Sequence, residues 1–509
     1  MKKNSFDNSL SKEEFSFVQK DAKIFDQKFQ TKKIGSFKDA MIRFSRNKGS
    51  VIAFIILGLL VLFSIVVPIV SGYDVSYTDS YYVNCTPKVF EAGTGFWDGT
   101  VSEEKEETSY EYFLNYGAVV KTNSKRTYFN QDVGKDVTMY TFTRNTYVQG
   151  YKFAQVGKTE LDKYIAYDKT VTSDKDKILS PLIDYSYIDD LPTGDFNKIT
   201  LKSNLERDAN YFYKVNEKLK PMKSDGKLQY IYKTNSDGSY DYYEQATNSD
   251  GELTNSYKIR YNYDNKYIFL NGSAPKYVLG SNSAGYDIIT RLASGGRLSL
   301  ILGFAVASIN ILLGVIYGSI EGYYGGRVDL VMERVSDILS SVPSMVVVTL
   351  MGIHLNKIFA FDGGSIIVLF IAFVSTGWIG TASTVRMQFY RYKNQEYILA
   401  ARTLGAGDSR LIFHHILPNA IGPVVTSSVL MIPGVIFSES MLSYLNIIDL
   451  SSRTVTSIGT MLSEGQSAFT TYPNNIVWPA LFISLLMISF NIFGNGLRDA
   501  FNPSLRGAE

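Results

Sequence analysis

From Ser50 to Val70 the chain carries about twenty consecutive residues without a charge, enough to cross roughly 30 Å of hydrocarbon as one helix. The run is too long for the core of a signal peptide and no small-residue cleavage site follows it, so it is expected to stay as an anchor. Lys32, Lys33, Lys38, Arg43, Arg46 and Lys48 stand before it against Asp39 alone, which places the N-terminus inside. Apolar runs then return between residues 297 and 497, with spans expected near 298–320, 338–355, 365–384, 421–444 and 476–494. That makes about six, and an even number brings the C-terminus back to the cytoplasm. The expected class is an all-α polytopic membrane protein carrying one large extracellular insert that is mostly β.

Four regions follow. Residues 1–49 are a charged cytoplasmic tail and 50–71 the first span; 72–277 form the insert, and 278–509 hold the other five spans. In the insert, Leu228–Tyr232 and Tyr240–Tyr243 flank Asn235-Ser-Asp-Gly238, and the same Thr-Asn-Ser-Asp-Gly string recurs at 247–251 before Tyr257–Tyr261. Two tandem hairpins are predicted there. A helix is predicted from Thr159 to Leu179, and the acidic run Glu103–Glu107 reads as a solvated loop. The first span would receive the insert near Gly72 and the membrane region resume near Leu279, so the insert would stand at the outer mouth as a docking surface built on its tyrosines or as a spacer.

Composition closes off several chemistries. With 51 Lys and Arg against 49 Asp and Glu, the chain offers no basic field for nucleic acid. Cys85 is its one cysteine and it has 3 histidines, so neither a disulfide nor a cysteine or histidine metal centre is expected. Gly157-Lys158-Thr159 hints at a phosphate loop, but Lys152 stands where the first glycine is required. The chain is therefore not expected to be an enzyme or to carry a cofactor. Energy for any active transport would come from a partner.

The polar stretch 385–418 between two spans is patterned as helix, glycine corner, second helix and proline stop. Gln395 to Leu404 are mostly good helix formers, Gly405 and Gly407 break the helix, Asp408 opens the next, and Pro418 is expected to end it near Ile416. Within the spans, Gly303 and Ala307, and Gly314 and Gly318, are small residues one turn apart, the spacing that lets helices pack closely in lipid. Asn310, Asn491 and Glu439 are the polar groups most worth locating, since each either lines a path or bonds across helices.

Here a resemblance enters. Ala400, Ala401, Gly405, Leu417 and Pro418 fall in the register of the coupling loop of ABC importer permeases, whose pattern is Glu-Ala-Ala, three residues, Gly, and a spacer closing on Leu-Pro. The glutamate departs from it: Leu399 takes its place and Glu396 lies one turn earlier. His415-Ile-Leu-Pro-Asn419 is similar to the closing form of the oligopeptide and dipeptide branch. Gly322-Tyr-Tyr-Gly-Gly326, Glu439-Ser-Met-Leu-Ser443 and Phe490-Asn491-Ile-Phe-Gly494 match the same branch, and the matches span essentially all of 278–505.

The resemblance implies a type I permease fold and a role as one membrane subunit of a peptide importer. It implies a second, homologous permease subunit, two ATP-binding subunits that hold ATP and Mg, and an extracellular solute-binding protein that delivers the peptide. Glu396, Ala400, Ala401, Gly405, Ala406, Gly407, His415, Leu417 and Pro418 would then meet the ATP-binding subunit, Ala400 and Ala401 seating the helix in a groove. Nickel or another small solute stays open as cargo. The competing readings are a surface receptor or adhesin acting through 72–277, and a secondary transporter, which should show internal repeats and broken helices.

Overall fold

A computed structural model describes residues 36–131, 134–184, 223–224, 227–228, 232–361 and 363–501. The tail before Ser36, the middle of the expected strand Leu228–Tyr232, and Asn502 onward lie outside the described residues.

The tail ends in helix α1 (Ser36–Arg46), whose Ala40 and Phe44 pack on Leu497 and Ala500 near the other end of the chain. Asn47 then caps the first apolar helix, α2 (Lys48–Val70), by accepting a hydrogen bond from the Ser50 amide.

The insert opens with β1 (Thr100–Glu106), α3 (Glu107–Asn115), β2 (Val119–Asn130) and β3 (Lys135–Asn145), where an antiparallel sheet runs in the order β1-β3-β2. Glu103–Glu106 are therefore strand rather than loop and Glu107 opens α3, while Glu104–Glu107 stay exposed as expected. Alternation sends Val101 and Glu103 inward and leaves Ser102 and Glu104 outside, and Arg144 on the neighbouring strand neutralises Glu103 at 2.6 Å. A second sheet is built on β4 (Tyr151–Gly157), β5 (Leu179–Ser180), β8 (Tyr243–Thr247) and β9 (Leu253–Asn262), with β9 at its centre. Between β5 and β8 lie the two-residue strands β6 (Lys223–Ser224) and β7 (Lys227–Leu228).

Both Asn-Ser-Asp-Gly turns close as predicted and in the same way. The Asn235 and Asn248 amides donate to the Ser239 and Glu252 carbonyls, and Gly238 and Gly251 return to the asparagine carbonyls. Helix α4 (Lys158–Asp168) is half its expected length. Asp168 ends it by accepting from the Ile178 and Leu179 amides, which turns the chain back into β5.

Among the described insert tyrosines, Tyr82, Tyr147, Tyr164, Tyr261, Tyr267 and Tyr277 are buried, Tyr128, Tyr240 and Tyr243 are exposed and the rest are half-buried, so part of the ring surface expected for docking is internal. Tyr82, Tyr147, Tyr267 of α5 (Tyr263–Asn271) and Tyr277 form one buried cluster around Cys85. That cluster sits where the insert meets the membrane part. Asn474 donates to the Cys85 carbonyl, Asn475 to Asn84, and Asn282 to Glu464, so the root of the insert and the segment after it are bonded to residues 474–475 and 464 of the helical region.

The helical region runs through α6 (Ile288–Tyr324), α7 (Gly326–Ser340), α8 (Ser344–Leu355), α9 (Gly364–Gly377), α10 (Ile379–Tyr392), α11 (Glu396–Thr403), α12 (Leu417–Val429), α13 (Met431–Tyr444), α14 (Ile458–Gly465) and α15 (Asn474–Phe501). Among the described residues, five continuous stretches are long and apolar enough to cross a membrane: Lys48–Val70, Ile288–Tyr324, Gly364–Tyr392, Asp408–Tyr444 and Asn474–Phe501. The span expected near 338–355 is instead the pair α7 and α8, bent by 71°. The break falls at Ser341-Val342-Pro343, where proline supplies no amide and disfavours helix in the residue before it.

The core gathers Leu57 of α2, Leu292 and Leu300 of α6, Ile436 of α13, and Phe482 and Leu486 of α15.

Candidate functional site

At the end of the bundle away from the insert, α10 and α12 are joined by a helical elbow. Helix α11 carries Glu396 in its first turn, where the partial positive charge of free amides favours an acid. It stops in a Schellman turn. Gly405 takes φ 85°, its amide donates to the Arg402 carbonyl, and the Ala406 amide reaches back to the Ala401 carbonyl. A side chain with a Cβ adopts that φ rarely, so the glycine sets the corner.

This geometry explains the small residues. Ala401 and Ala406 are the apolar pair that accompanies such a turn, and both face inward against Ile398, Leu411, Ile412 and Ile416. Ala400 points outward with Glu396, Leu399 and Leu404, the last 88% exposed. Of the alanine pair, Ala400 is exposed and Ala401 half-buried.

Gly407 precedes the short turn Asp408–Arg410, which passes into a π-helical turn, Leu411–Ile416, and then straight into α12. Pro418 thus does not end a helix, contrary to its reading as a stop. It lies in the first turn of α12, where a missing amide is tolerated, and the wide π turn before it accommodates the ring. His415 is half-buried, and its carbonyl accepts from Asn419 at 2.8 Å. Leu417 packs on the elbow's own core, while Pro418 is exposed.

The elbow grips the neighbouring helix ends through contacts the sequence did not reveal. The Tyr323 hydroxyl, at the end of α6, donates to Asp408 at 2.6 Å and accepts from Arg402 at 3.1 Å. Lys393 caps the Gly322 carbonyl at 2.9 Å. Arg386 of α10 holds Asp329 and Glu333 of α7 through two pairs of hydrogen bonds between 2.6 and 3.1 Å. Asp329 and Glu333, four apart on one helix, were the available signal. Tyr323, Phe389, Ile398, Leu411, Ile416 and Val424 share one buried cluster, so elbow and helix ends are packed together.

In the bundle interior, Glu439 is 1% exposed and accepts from Ser299 of α6 at 2.8 Å and from Ser443 and Ser440 of its own helix. It bonds across helices. Asn310 is likewise buried and donates to the Phe373 carbonyl of α9 at 3.4 Å. Gly314 and Gly318 lie against Thr381 and Ala382 of α10, and a Cβ on Gly318 would overlap the Ala382 carbonyl. They are packing residues. Asn491 is exposed on α15.

Residues 278–507 match the family described as the binding-protein-dependent transport system inner membrane component, and residues 35–87 match the N-terminal TM domain of oligopeptide transport permease C. The two leave 88–277 unmatched. The oligopeptide transport system permease protein OppC of Bacillus subtilis is 43% identical over 250 residues, 48% of this chain and 79% of that protein. The dipeptide transport system permease protein DppC of Lactococcus lactis is 38% identical over 229 residues, 45% of this chain and 64% of that protein. A chain of the MetNI methionine ABC transporter in an inward-facing conformation aligns over 42% of this chain and 96% of its own at 14% identity and a TM-score of 0.34, too distant a likeness to argue from.

Proposed function

The chain belongs to the inner-membrane permeases of binding-protein-dependent transport, in the oligopeptide and dipeptide branch, and from that membership we propose that it forms half of a peptide pathway driven by ATP-binding subunits at its elbow. A second, homologous permease subunit completes the pathway. Two ATP-binding subunits hold ATP and Mg, and a solute-binding protein delivers the peptide from outside. Both termini and the elbow lie in the cytoplasm and the insert lies outside, in keeping with Arg386, Arg391, Lys393, Arg402 and Arg410 clustering at the elbow end.

The observation that carries the reading is the elbow's outward face. Tyr397, Leu399, Leu404 and Phe413 are exposed on a polar connection, and apolar side chains left outside on such a connection suit a protein contact. Its inner face is welded to α6, α10 and α12, so a partner turning this knob turns the ends of three helices with it. At its other end α6, one of these three helices, is preceded by the segment whose Ser281 accepts from the Cys85 amide at the base of the insert.

Affinity purification of the full chain from its own membranes tests the reading. ATP-binding subunits and a second permease should copurify, and Leu404→Asp should release the ATP-binding subunits while keeping the second permease. Recovery of the chain without any ATPase, or a Leu404→Asp complex of unchanged composition, would contradict it.

A further inference from the structure

One feature of the insert is left unused by transport itself. Residues 88–98 form a tight hairpin, with Lys88 bridged to Asp98 and the Val89 and Phe90 amides both donating to the Trp97 carbonyl. The Asp98 carboxylate accepts from the Gly93 and Gly95 amides and stiffens the tip. This ordered loop nonetheless presents Val89, Phe90 and Phe96 to the outside, Phe96 at 65% exposure. Trp97 sits at φ 49°, a region a bulky residue seldom occupies. Two contacts hold it there: its indole donates to the Val278 carbonyl, and its ring stacks on Trp478 at 5.6 Å between centroids and 12° between planes.

The position of Trp478 fixes the height of the loop. Helix α15 has 28 residues, about 42 Å at 1.5 Å per residue, against a hydrocarbon core of about 30 Å. The helix opens on the polar pair Asn474 and Asn475 and its apolar run begins at Ile476, so Trp478, the fifth residue of the helix, stands within the first turn of that run. It heads an exposed stripe of Leu481, Leu485, Ile488 and Ile492 at helical spacing, so the surface it shares with Trp97 continues an apolar side of a span. Aromatic side chains concentrate at this depth because one edge is apolar and the other wet.

We propose that the 88–98 hairpin is an interfacial anchor, with Phe90, Phe96 and Trp97 immersed in the lipid headgroup and upper acyl region of the leaflet on the insert side. The occupant is lipid, because the exposed residues are apolar, level with the end of the hydrocarbon and continuous with a span's exposed face. The anchor pins the insert to the bilayer beside α15. It does not depend on the cargo or on the ATP-binding partner, and only the naming of the leaflet as outer rests on the orientation proposed above.

The test places a bimane fluorophore on Phe96→Cys in the full-length Cys85→Ser chain, reconstituted in phosphatidylcholine nanodiscs with and without a lipid spin-labelled near the headgroup. The same label on Leu253→Cys, exposed in the β8–β9 hairpin of the other sheet, is the reference. The proposal expects blue-shifted emission at 96, loss of most of it with the spin-labelled lipid, and no loss at 253. Water-like, unquenched emission at 96 overturns it, as does quenching abolished when the second permease or a binding protein is assembled with the chain. If the labelled variants fail to assemble, quenching of native tryptophan by the same lipid in Trp378→Phe, against the Trp97→Phe, Trp378→Phe chain, decides the matter: an equal loss in both overturns the proposal, and a larger loss with Trp97 present supports it.

Discussion

The Arg144 guanidinium donates to the Tyr472 hydroxyl across 2.9 Å, joining the central strand of the insert's first sheet to the turn that leads into α15. The same guanidinium pairs with Glu103 at 2.6 Å, and the two side chains are only 13% and 4% exposed. Replacing Arg144 with Met leaves a buried carboxylate without its partner, at a cost of about 3 kcal/mol. Thermal unfolding in nanodiscs should show a lowered transition for Arg144→Met and a partial recovery in the Arg144→Met, Glu103→Gln chain.

Two glycine substitutions should have opposite effects. Gly318→Ala drives a methyl into the Ala382 carbonyl and should destabilise the α6–α10 contact by about 1–3 kcal/mol. Gly58→Ala meets nothing within 4 Å and should hold or raise stability by up to about 1 kcal/mol, since it removes backbone freedom from the unfolded chain. Unfolding temperatures of the two purified variants check the contrast.

Asp287, just ahead of α6, supplies a pH dependence. Burial pushes its carboxyl from 3.8 up to about 6, opposed by hydrogen bonds from Thr290. The folded state thus holds this proton more tightly than the unfolded one, so the contribution to stability is full below pH 3.8 and is lost as pH rises through about 6. Asn caps a helix as well as Asp. Relative to Asp287→Asn, the unsubstituted chain should lose about 2–3 kcal/mol between pH 4 and pH 7, read from unfolding midpoints at each pH.

How much of this was legible in the sequence depended on whether the signal was local. The turns at Asn235 and Asn248 and the small-residue stripe at Gly314 and Gly318 are short-range patterns, and the structure forms them as read. Pro418 does not act as the helix stop the sequence suggests, and Ala401 packs in the corner, because a left-handed glycine and a π turn depend on packing beneath the elbow. Glu103 was misread because its partner Arg144 lies 41 residues away, and the tyrosines because composition does not tell a buried cluster from a surface one.

Cys85 carries a consequence for topology mapping. It is fully buried, its thiol is pushed up to about 12 by burial, and it lies in the tyrosine cluster at the root of the insert. In intact cells a membrane-impermeant maleimide should therefore leave the native chain unlabelled. Labelling should appear once the insert is denatured from outside the sealed membrane.

Transport by the reconstituted complex tests the central claim most directly. Proteoliposomes holding this chain with its second permease, ATP-binding subunits and binding protein should accumulate a labelled oligopeptide only with ATP and Mg. The Leu404→Asp complex should lose that uptake while the chain's own unfolding temperature stays unchanged, since an 88% exposed side chain contributes little to the fold. Uptake by Leu404→Asp equal to that of the unsubstituted complex, or no ATP-dependent peptide accumulation by a fully assembled complex, would contradict the account.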